Sequence, residues 1–148
     1  MRVSWRERTI LLVEDSDDDV FFMQDTMKRA GLVNPLQVVR DGQQALDYLG
    51  GLGKYGDRRL FPMPCLVLLD LKLPRVSGFE VLASIRAKHD LGKLPVVILS
   101  GSKLPVEVAL AEENGATFYL SKPPTKESLE ALEGIVGKCW LRAGSAED

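Results

Sequence analysis

The sequence has few of the residues that build histidine or cysteine metal centres. Its 148 residues include one histidine, His89, and two cysteines, Cys65 and Cys139. A single histidine excludes a site that needs several histidine ligands. The two cysteines lie far apart in the chain and follow no secretory signal, so we expect reduced thiols rather than a disulfide.

The sequence also lacks long apolar runs and an excess of charge of either sign. No segment reaches the roughly 18 consecutive apolar residues of a membrane-spanning helix, and residues 1–9 are too charged for a signal peptide. The formal net charge of −2 gives no general attraction for nucleic acid or for an anionic membrane. These absences predict a cytoplasmic protein that binds neither nucleic acid nor a membrane.

Short apolar runs alternate with helical patterns along the whole chain. Hydrophobic residues make up 45% of the sequence, which is enough to build the core of one domain. Strands that alternate with helices predict a single α/β domain over residues 1–148, with a core of about 8–142. Its sheet should be doubly wound, five-stranded and parallel. The predicted strands are 9–13, 36–39, 66–70, 94–99 and 116–120.

Three other segments complete the expected fold. Residues 50–64, which contain four glycines and two prolines, form the longest stretch with no predicted structure. Such a loop is either functional or a floppy insertion, and both interpretations remain open. A last helix is expected to start after Thr125 and to carry an apolar stripe as far as Trp140. From Gly144 onward the chain should fray.

Polar side chains stand at the C-terminal ends of four predicted strands. The first strand ends on Glu14 and Asp15, and the third ends on Asp70. The fourth is followed by Ser100, and Lys122 comes shortly after the fifth. Because the carboxyl ends of parallel strands meet at the same edge of a sheet, we expect these side chains to lie close together.

The chemistry of these side chains suits the transfer of a phosphoryl group. Three neighbouring carboxylates repel one another unless a cation lies between them, and hard oxygen ligands suit Mg²⁺. We therefore predict that Glu14, Asp15 and Asp70 bind Mg²⁺, and we expect no organic cofactor. Asp70 would attack phosphorus as the nucleophile, with Lys122 neutralising charge and the Ser100 hydroxyl nearby.

In these features the chain resembles the response-regulator receiver domains of two-component signalling. The resemblance covers roughly residues 8–142. It rests on an acidic pair, an Asp-x-x-x-Pro-x-x-x-Gly motif, a Ser followed by a small residue, and an aromatic-x-x-Lys-Pro motif. The residues that carry these motifs are Glu14, Asp15, Asp70, Pro74, Gly78, Ser100, Gly101, Tyr119, Lys122 and Pro123.

The resemblance implies both a fold and a function. The fold is flavodoxin-like, (βα)5, with strand order 2-1-3-4-5. The function is that of a signalling phosphoprotein rather than an enzyme: Asp70 accepts a phosphoryl group from a histidine kinase, and the protein assists its own phosphorylation and dephosphorylation. Ser100 and Tyr119 would act as the switch residues that report phosphorylation.

Two further expectations about the site come from the same resemblance. The backbone carbonyl of Lys72 is implied as an additional metal ligand. The peptide bond between Lys122 and Pro123 is implied to be cis, which a proline permits at modest cost.

The partners expected from the resemblance are proteins. The loop 50–64 and the lack of an output domain resemble the stand-alone regulators that work with phytochrome-type histidine kinases. The signal should then leave through the face formed by the fourth helix, the fifth strand and the fifth helix. Exposed apolar surface is predicted there by four residues of the fourth helix, Val106, Val108, Ala109 and Leu110. The sequence leaves open whether this face binds the kinase, a target or a second copy in a homodimer.

Two alternative functions remain. A Mg²⁺-dependent aspartyl-phosphate phosphatase would also use Asp70 as its nucleophile, but such enzymes usually place a second aspartate two residues later, where this chain has Lys72. A scaffold with an inactive site is disfavoured, because every expected polar residue is present. Lys72 and Ser102 occupy positions that line the path of the hydrolytic water in the family, so the lifetime of the phosphorylated form is open.

Overall fold

The central element is a parallel sheet of five strands. The structure is a computed structural model that describes residues 3–144 and 146–147, so residues 1, 2, 145 and 148 of the predicted domain lie outside the described residues. The strands are β1 Ile10–Val13, β2 Leu36–Val39, β3 Leu66–Asp70, β4 Val96–Ser100 and β5 Phe118–Ser121. Their order in the sheet is β2-β1-β3-β4-β5, which confirms the predicted fold class.

Helices connect the strands and cover both faces of the sheet. Within the described part of the chain, no helix is both long and apolar enough to cross a membrane. Three short 3₁₀ turns lie at Trp5–Arg8, Gly53–Gly56 and Gly137–Cys139. The helices are α1 Asp17–Arg29, α2 Gly42–Gly50, α3 Gly78–Ala87, α4 Pro105–Glu113, α5 Lys126–Ala131 and α6 Glu133–Val136.

The three central strands are buried along their whole length, as their unbroken apolar runs predict for a sheet covered on both faces. Alternate residues of each strand enter opposite core clusters. Leu12 and Leu68 pack in the cluster that includes residues of α1 and α5, whereas Leu11 and Leu69 pack with residues of α2 and α3. A polar side chain can therefore reach solvent only at the strand ends.

The C-terminal region differs from the prediction in two ways. The expected single helix is broken at Leu132, because α5 ends before it and α6 begins after it. Gly134 and Gly137 lower the helix propensity here, although the buried Leu132 and Val136 still pack in the core. Residues 146–147 also form a short parallel strand pair with residues 3–4, so the predicted fraying beyond Gly144 is wrong for residues 146–147.

The segment 50–64 is mostly a loop, as predicted, but it contains a 3₁₀ turn at Gly53–Gly56 and is packed against α2, which argues against a floppy insertion. The Arg58 guanidinium donates hydrogen bonds to the carbonyls of Tyr48, Leu49 and Phe61, the first two at the end of α2. The ring centroid of Tyr55 lies 5.1 Å from that of Tyr48 and 5.0 Å from that of Phe61. The packed aromatic rings and the hydrogen bonds from Arg58 to the carbonyls at the end of α2 hold this segment in place. The number of glycines in the segment does not reveal these contacts.

Gly78 allows the start of α3 to approach the end of β3. A Cβ at this position would lie 2.5 Å from the carbonyl oxygen of Asp70 and 2.7 Å from the Cα of Leu71. The helix begins beside this contact, where the Ser77 hydroxyl accepts a hydrogen bond from the Glu80 N–H. The Asp-x-x-x-Pro-x-x-x-Gly motif ends on a glycine because the backbone at the start of α3 touches the backbone at the end of β3 and leaves no room for a side chain.

Replacing Gly78 by alanine should destabilise the fold by about 1–3 kcal/mol, because the added methyl group forces α3 away from the end of β3. Urea unfolding followed by circular dichroism measures the change. Gly134→Ala is the matched control, since a Cβ there meets nothing within 4 Å. That control should be neutral or slightly stabilising, and equal destabilisation by both variants would contradict the proposed contact.

Candidate functional site

The strand register brings the predicted residues to one edge of the sheet. Val13 of β1 pairs with Leu69 of β3, so Glu14 and Asp70 leave the sheet side by side. Ser100 ends β4, the next strand, and its carbonyl accepts a hydrogen bond of 2.8 Å from the Lys122 N–H. All of these side chains thus belong to the carboxyl edge of the sheet, as the sequence predicted.

The Lys122 ammonium lies at the centre of this edge. Its Nζ is 2.6 Å from Glu14 Oε1, 2.8 Å from Asp19 Oδ2 and 3.0 Å from Asp70 Oδ2. A lysine has three N–H donors, so each donor has a carboxylate acceptor. The peptide bond from Lys122 to Pro123 is cis, as the resemblance implied.

Asp19 is the residue that sequence reasoning missed. By itself, the run of aspartates in the first turn of α1 predicts only a favourable interaction with the positive end of that helix. Asp19 lies in the first turn of α1, where its N–H donates to the Ser16 hydroxyl. Side chains of a first turn point back toward the helix N-terminus, and β1 ends just there. That direction was the available signal that Asp19 faces the strand ends.

Burial sets the electrostatics of the cluster. Burial raises the pKa of Glu14 to about 7, and the neighbouring charge of Asp70 acts in the same direction, against the hydrogen bond from Lys122. Burial alone would lower the pKa of Lys122, but its hydrogen bonds to Asp19, Glu14 and Asp70 raise it. The lysine is therefore held in its charged form, and it offsets the repulsion between the carboxylates.

Three of the carboxylates can hold a divalent cation. One oxygen from each of Glu14, Asp15 and Asp70 lies within 4.8 Å of the others. Glu14 and Asp70 are buried while Asp15 is exposed, an arrangement that suits an ion that keeps some of its water. Backbone groups hold the Glu14 and Asp70 oxygens that Lys122 does not contact: the Lys72 N–H donates to Asp70 Oδ1 and the Ser16 N–H donates to Glu14 Oε2. Ligation by the Lys72 carbonyl stays a prediction.

A hydrogen-bonded chain connects the two predicted switch residues. The Ser102 N–H donates to the hydroxyl oxygen of Ser100 at 3.1 Å, and the Tyr119 hydroxyl donates to the Ser102 carbonyl at 2.9 Å. Ser100 is buried at the site edge, whereas Tyr119 lines a groove on the α4–β5 face. The backbone of Ser102, which the sequence assigned only to a water path, thus bridges the site and that face.

Comparisons with known proteins point to one family. The family model described as the response regulator receiver domain matches residues 10–132. The chain is 38% identical to a probable methanogenesis regulatory protein, FilR2, of Methanothrix harundinacea, over 89% of this chain and 83% of the relative. It is 36% identical to the response regulator Rcp1 of Synechocystis, over 90% of this chain and 89% of the relative.

Solved structures agree with the sequence matches. The chain is similar to the bacteriophytochrome response regulator RtBRR with a TM-score of 0.81 and 37% identity, over 94% of this chain and 83% of the other. It is also similar to the Mn²⁺-bound form of Rcp1, with a TM-score of 0.71 and 38% identity, over 86% of this chain and 90% of the other. The latter protein thus binds a divalent cation.

Removing the Lys122 ammonium should strengthen divalent-cation binding or leave it unchanged, because a positive charge leaves the carboxylate cluster. Without added metal, Lys122→Ala should lose roughly 2–4 kcal/mol of unfolding free energy, since three carboxylates then face one another uncompensated. Added divalent cation should restore much of that loss. Fluorescence titration and urea unfolding, each with and without metal, measure the two effects.

Lys103→Ala is the matched control for this charge removal, because Lys103 is an exposed lysine that follows β4 at the same edge. It should change both quantities little. A large loss of metal affinity in Lys122→Ala but not in Lys103→Ala would show that Lys122 supports the metal site, contrary to the electrostatic interpretation.

Proposed function

The chain belongs to the response regulator receiver domain family, and on this premise we propose that Asp70 accepts a phosphoryl group from a histidine kinase. The observation that carries the proposal is the position of Asp70 at the end of β3, with one carboxylate oxygen 3.0 Å from the Lys122 ammonium. A buried carboxylate beside a cation and two acidic neighbours fits a nucleophile for phosphorus.

The transfer exchanges one bond for another at phosphorus. An Asp70 carboxylate oxygen forms the new P–O bond while the P–N bond to the kinase histidine breaks. The Lys72 N–H holds one oxygen of Asp70 and orients the carboxylate. Lys122 moves its hydrogen bond from the Asp70 carboxylate to a phosphoryl oxygen, and it neutralises part of the incoming charge. Bound Mg²⁺, on Glu14, Asp15, Asp70 and the Lys72 carbonyl, would supply further charge neutralisation.

This geometry favours a phosphoacceptor over a phosphatase. A phosphatase of the aspartyl-phosphate type needs an acid beside its nucleophile, but the residue two positions after Asp70 is Lys72, whose side chain is exposed. Lys72 lacks the carboxyl group that serves as the acid in those enzymes, and its positive charge attracts the phosphoryl group instead. We propose that release of the group, assisted by the protein itself, ends the signal.

The hydroxyl of Ser100 is proposed to transmit the phosphorylation state. When a phosphoryl group is present on Asp70, the hydroxyl turns toward one of its oxygens and weakens the bond from the Ser102 N–H. The Ser102 carbonyl then shifts, which releases the Tyr119 hydroxyl and lets the ring turn inward. The result is a population shift between two arrangements of the segment from Ser100 to Tyr119.

The surface that reads this shift is proposed to be the α4–β5–α5 face. Val106 is 62% exposed, Leu110 40% and Phe118 39%, so the predicted apolar surface on α4 is confirmed. A groove of about 220 Å³, lined by residues that include Val108, Phe118 and Tyr119, lies between α4 and β5. We propose that this face binds a protein partner. The similarity to a bacteriophytochrome response regulator supports a phytochrome-type histidine kinase as this partner. We also propose that the protein is cytoplasmic, and that a homodimer is a second use of the face.

Incubation with acetyl phosphate should add one phosphoryl group per chain, seen by intact mass, and only when Mg²⁺ is present. Asp70→Asn should abolish the addition, because the amide is not a nucleophile for phosphorus. Asp18→Asn, at an exposed aspartate of α1, is the control and should be labelled like the unaltered protein. Full labelling of Asp70→Asn, or labelling that a chelator does not reduce, would refute the assignment, and many turnovers would favour a phosphatase.

Beryllofluoride mimics the phosphoryl group and should change amide hydrogen exchange over residues 101–121. It should also promote either self-association, measured by analytical ultracentrifugation, or kinase binding, measured by calorimetry. Tyr119→Ala should remove these responses because the relay from Ser102 is lost. Val106→Asp should block partner binding, whereas Val33→Asp, at a 46% exposed valine distant from α4, should not. If both α4–β5 variants keep every response, the output face is wrong.

A further inference from the structure

The two cysteines face each other at the edge of the sheet opposite to the carboxylate cluster. Cys65 precedes β3, and Cys139 ends the turn after α6. Cys139 Sγ lies 3.1 Å from the Cys65 carbonyl oxygen, and Cys65 Sγ lies 3.9 Å from the Cys139 carbonyl oxygen. Both are free thiols, which agrees with the sequence prediction. Residues 74 positions apart have thus been brought into reciprocal contact.

An open, cationic pocket gives access to this pair. The pocket has a volume of about 340 Å³ and is lined by both cysteines together with Arg8, Lys93 and Lys138. Three positive side chains around two thiols favour the thiolate, which is the reactive form of cysteine. Cys65 is partly exposed and Cys139 is 5% exposed, so this pocket is the route by which a small oxidant would approach the pair.

The two thiols are not equivalent. A hydrogen bond with Cys65 lowers the pKa of Cys139 to about 7, and the charges of Arg8 and Lys138 act in the same direction against burial. The same hydrogen bond, together with burial, raises the pKa of Cys65. The directions of the two shifts make Cys139 the candidate for the attacking thiolate and Cys65 the candidate for the resolving thiol.

The backbone holds both residues in place. The Cys65 N–H donates a hydrogen bond of 2.9 Å to the Thr9 carbonyl beside β1. The Asn34 side chain donates to the Cys139 carbonyl at 2.7 Å and accepts from the Leu141 N–H at 2.9 Å. The C-terminal segment is thus tied to the sheet at this point, and the two cysteines are held next to each other.

We propose that Cys65 and Cys139 form a dithiol site that hydrogen peroxide oxidises reversibly to a disulfide. The Cys139 thiolate attacks one peroxide oxygen, an S–O bond forms, the O–O bond breaks and hydroxide leaves. The Cys65 sulfur then displaces the hydroxyl group of the resulting sulfenic acid, an S–S bond forms and water leaves. The two thiols lose two electrons and two protons, which reduce peroxide to water. A small dithiol reductant reverses the reaction.

The disulfide would fasten the C-terminal segment to the start of β3. It would close a loop of more than 70 residues, so the unfolded chain loses more freedom than the folded one. The bond lies at the opposite end of β3 from Asp70, and the site is therefore independent of the proposed phosphorylation. It would act on the stability of the fold and on the anchoring of the segment around Cys139.

The test treats the reduced full-length protein with a few equivalents of hydrogen peroxide near pH 7, followed by alkylation and intact mass under non-reducing conditions. We expect loss of both alkylation sites, a mass lower by two hydrogens in the monomer, and recovery on addition of dithiothreitol. The melting temperature of the oxidised form should rise by at least about 5 °C. Thiols that stay open to alkylation, or disulfides found only between chains, would overturn the proposal.

Variants identify the two roles. Cys65→Ala should accumulate a sulfenic acid at Cys139 that dimedone traps, because the resolving thiol is missing. Lys138→Ala should slow oxidation by at least about threefold, whereas Lys126→Ala, at an exposed lysine beside Thr125, should not. Trapping at Cys65 in Cys139→Ala at the same rate as at Cys139 would refute the assigned roles. If a cysteine variant does not fold by circular dichroism, the mass of the oxidised, unaltered protein still decides the proposal.

Discussion

The structure of the site depends on one electrostatic constraint: several carboxylates share a small, partly buried space. Glu14 and Asp70 are buried side by side, and Asp19 reaches the same ammonium from α1. Like charges at such distances repel strongly where water is scarce. Lys122 offsets this repulsion with three hydrogen bonds. A divalent cation adds positive charge to the cluster and a phosphoryl group adds negative charge, so each changes the net charge that Lys122 has to offset. The site is therefore sensitive to the charge added to it, which is the property that a phosphorylation switch requires.

The sheet determines where the chemistry can occur. Because the central strands are covered on both faces, their polar groups appear only at the two edges. The carboxyl edge holds the acidic cluster and Lys122, and the amino edge holds the thiol pair with Arg8 and Lys138. The segment from Ser100 to Tyr119 then connects the carboxyl edge to the α4–β5 face through the Ser102 backbone. Local hydrogen bonds, rather than a movement of the sheet, provide that connection.

Much of the fold and site was predictable, because the signals are local. The apolar run that ends on Asp70 predicted β3 to the residue, and the strand ends placed Glu14, Ser100 and Lys122 at one edge. The errors arose where long-range packing outweighs local pattern. Ordering of residues 50–64 depends on Arg58 reaching the carbonyls of α2. The break at Leu132 is a different case, because two nearby glycines weaken the helix locally while the apolar stripe that predicted one helix continues across the break.

By itself, the sequence determined the alternation of strands and helices and the residue types at each strand end. Periodicity and side-chain chemistry are properties of neighbouring residues. Only the tertiary structure decided that Asp19 joins Lys122, and that Cys139 faces Cys65. The members of these pairs lie 103 and 74 residues apart. Their contacts depend on how helices pack and on the direction of each side chain. No local pattern encodes those distances, because they result from closing the core around the whole sheet.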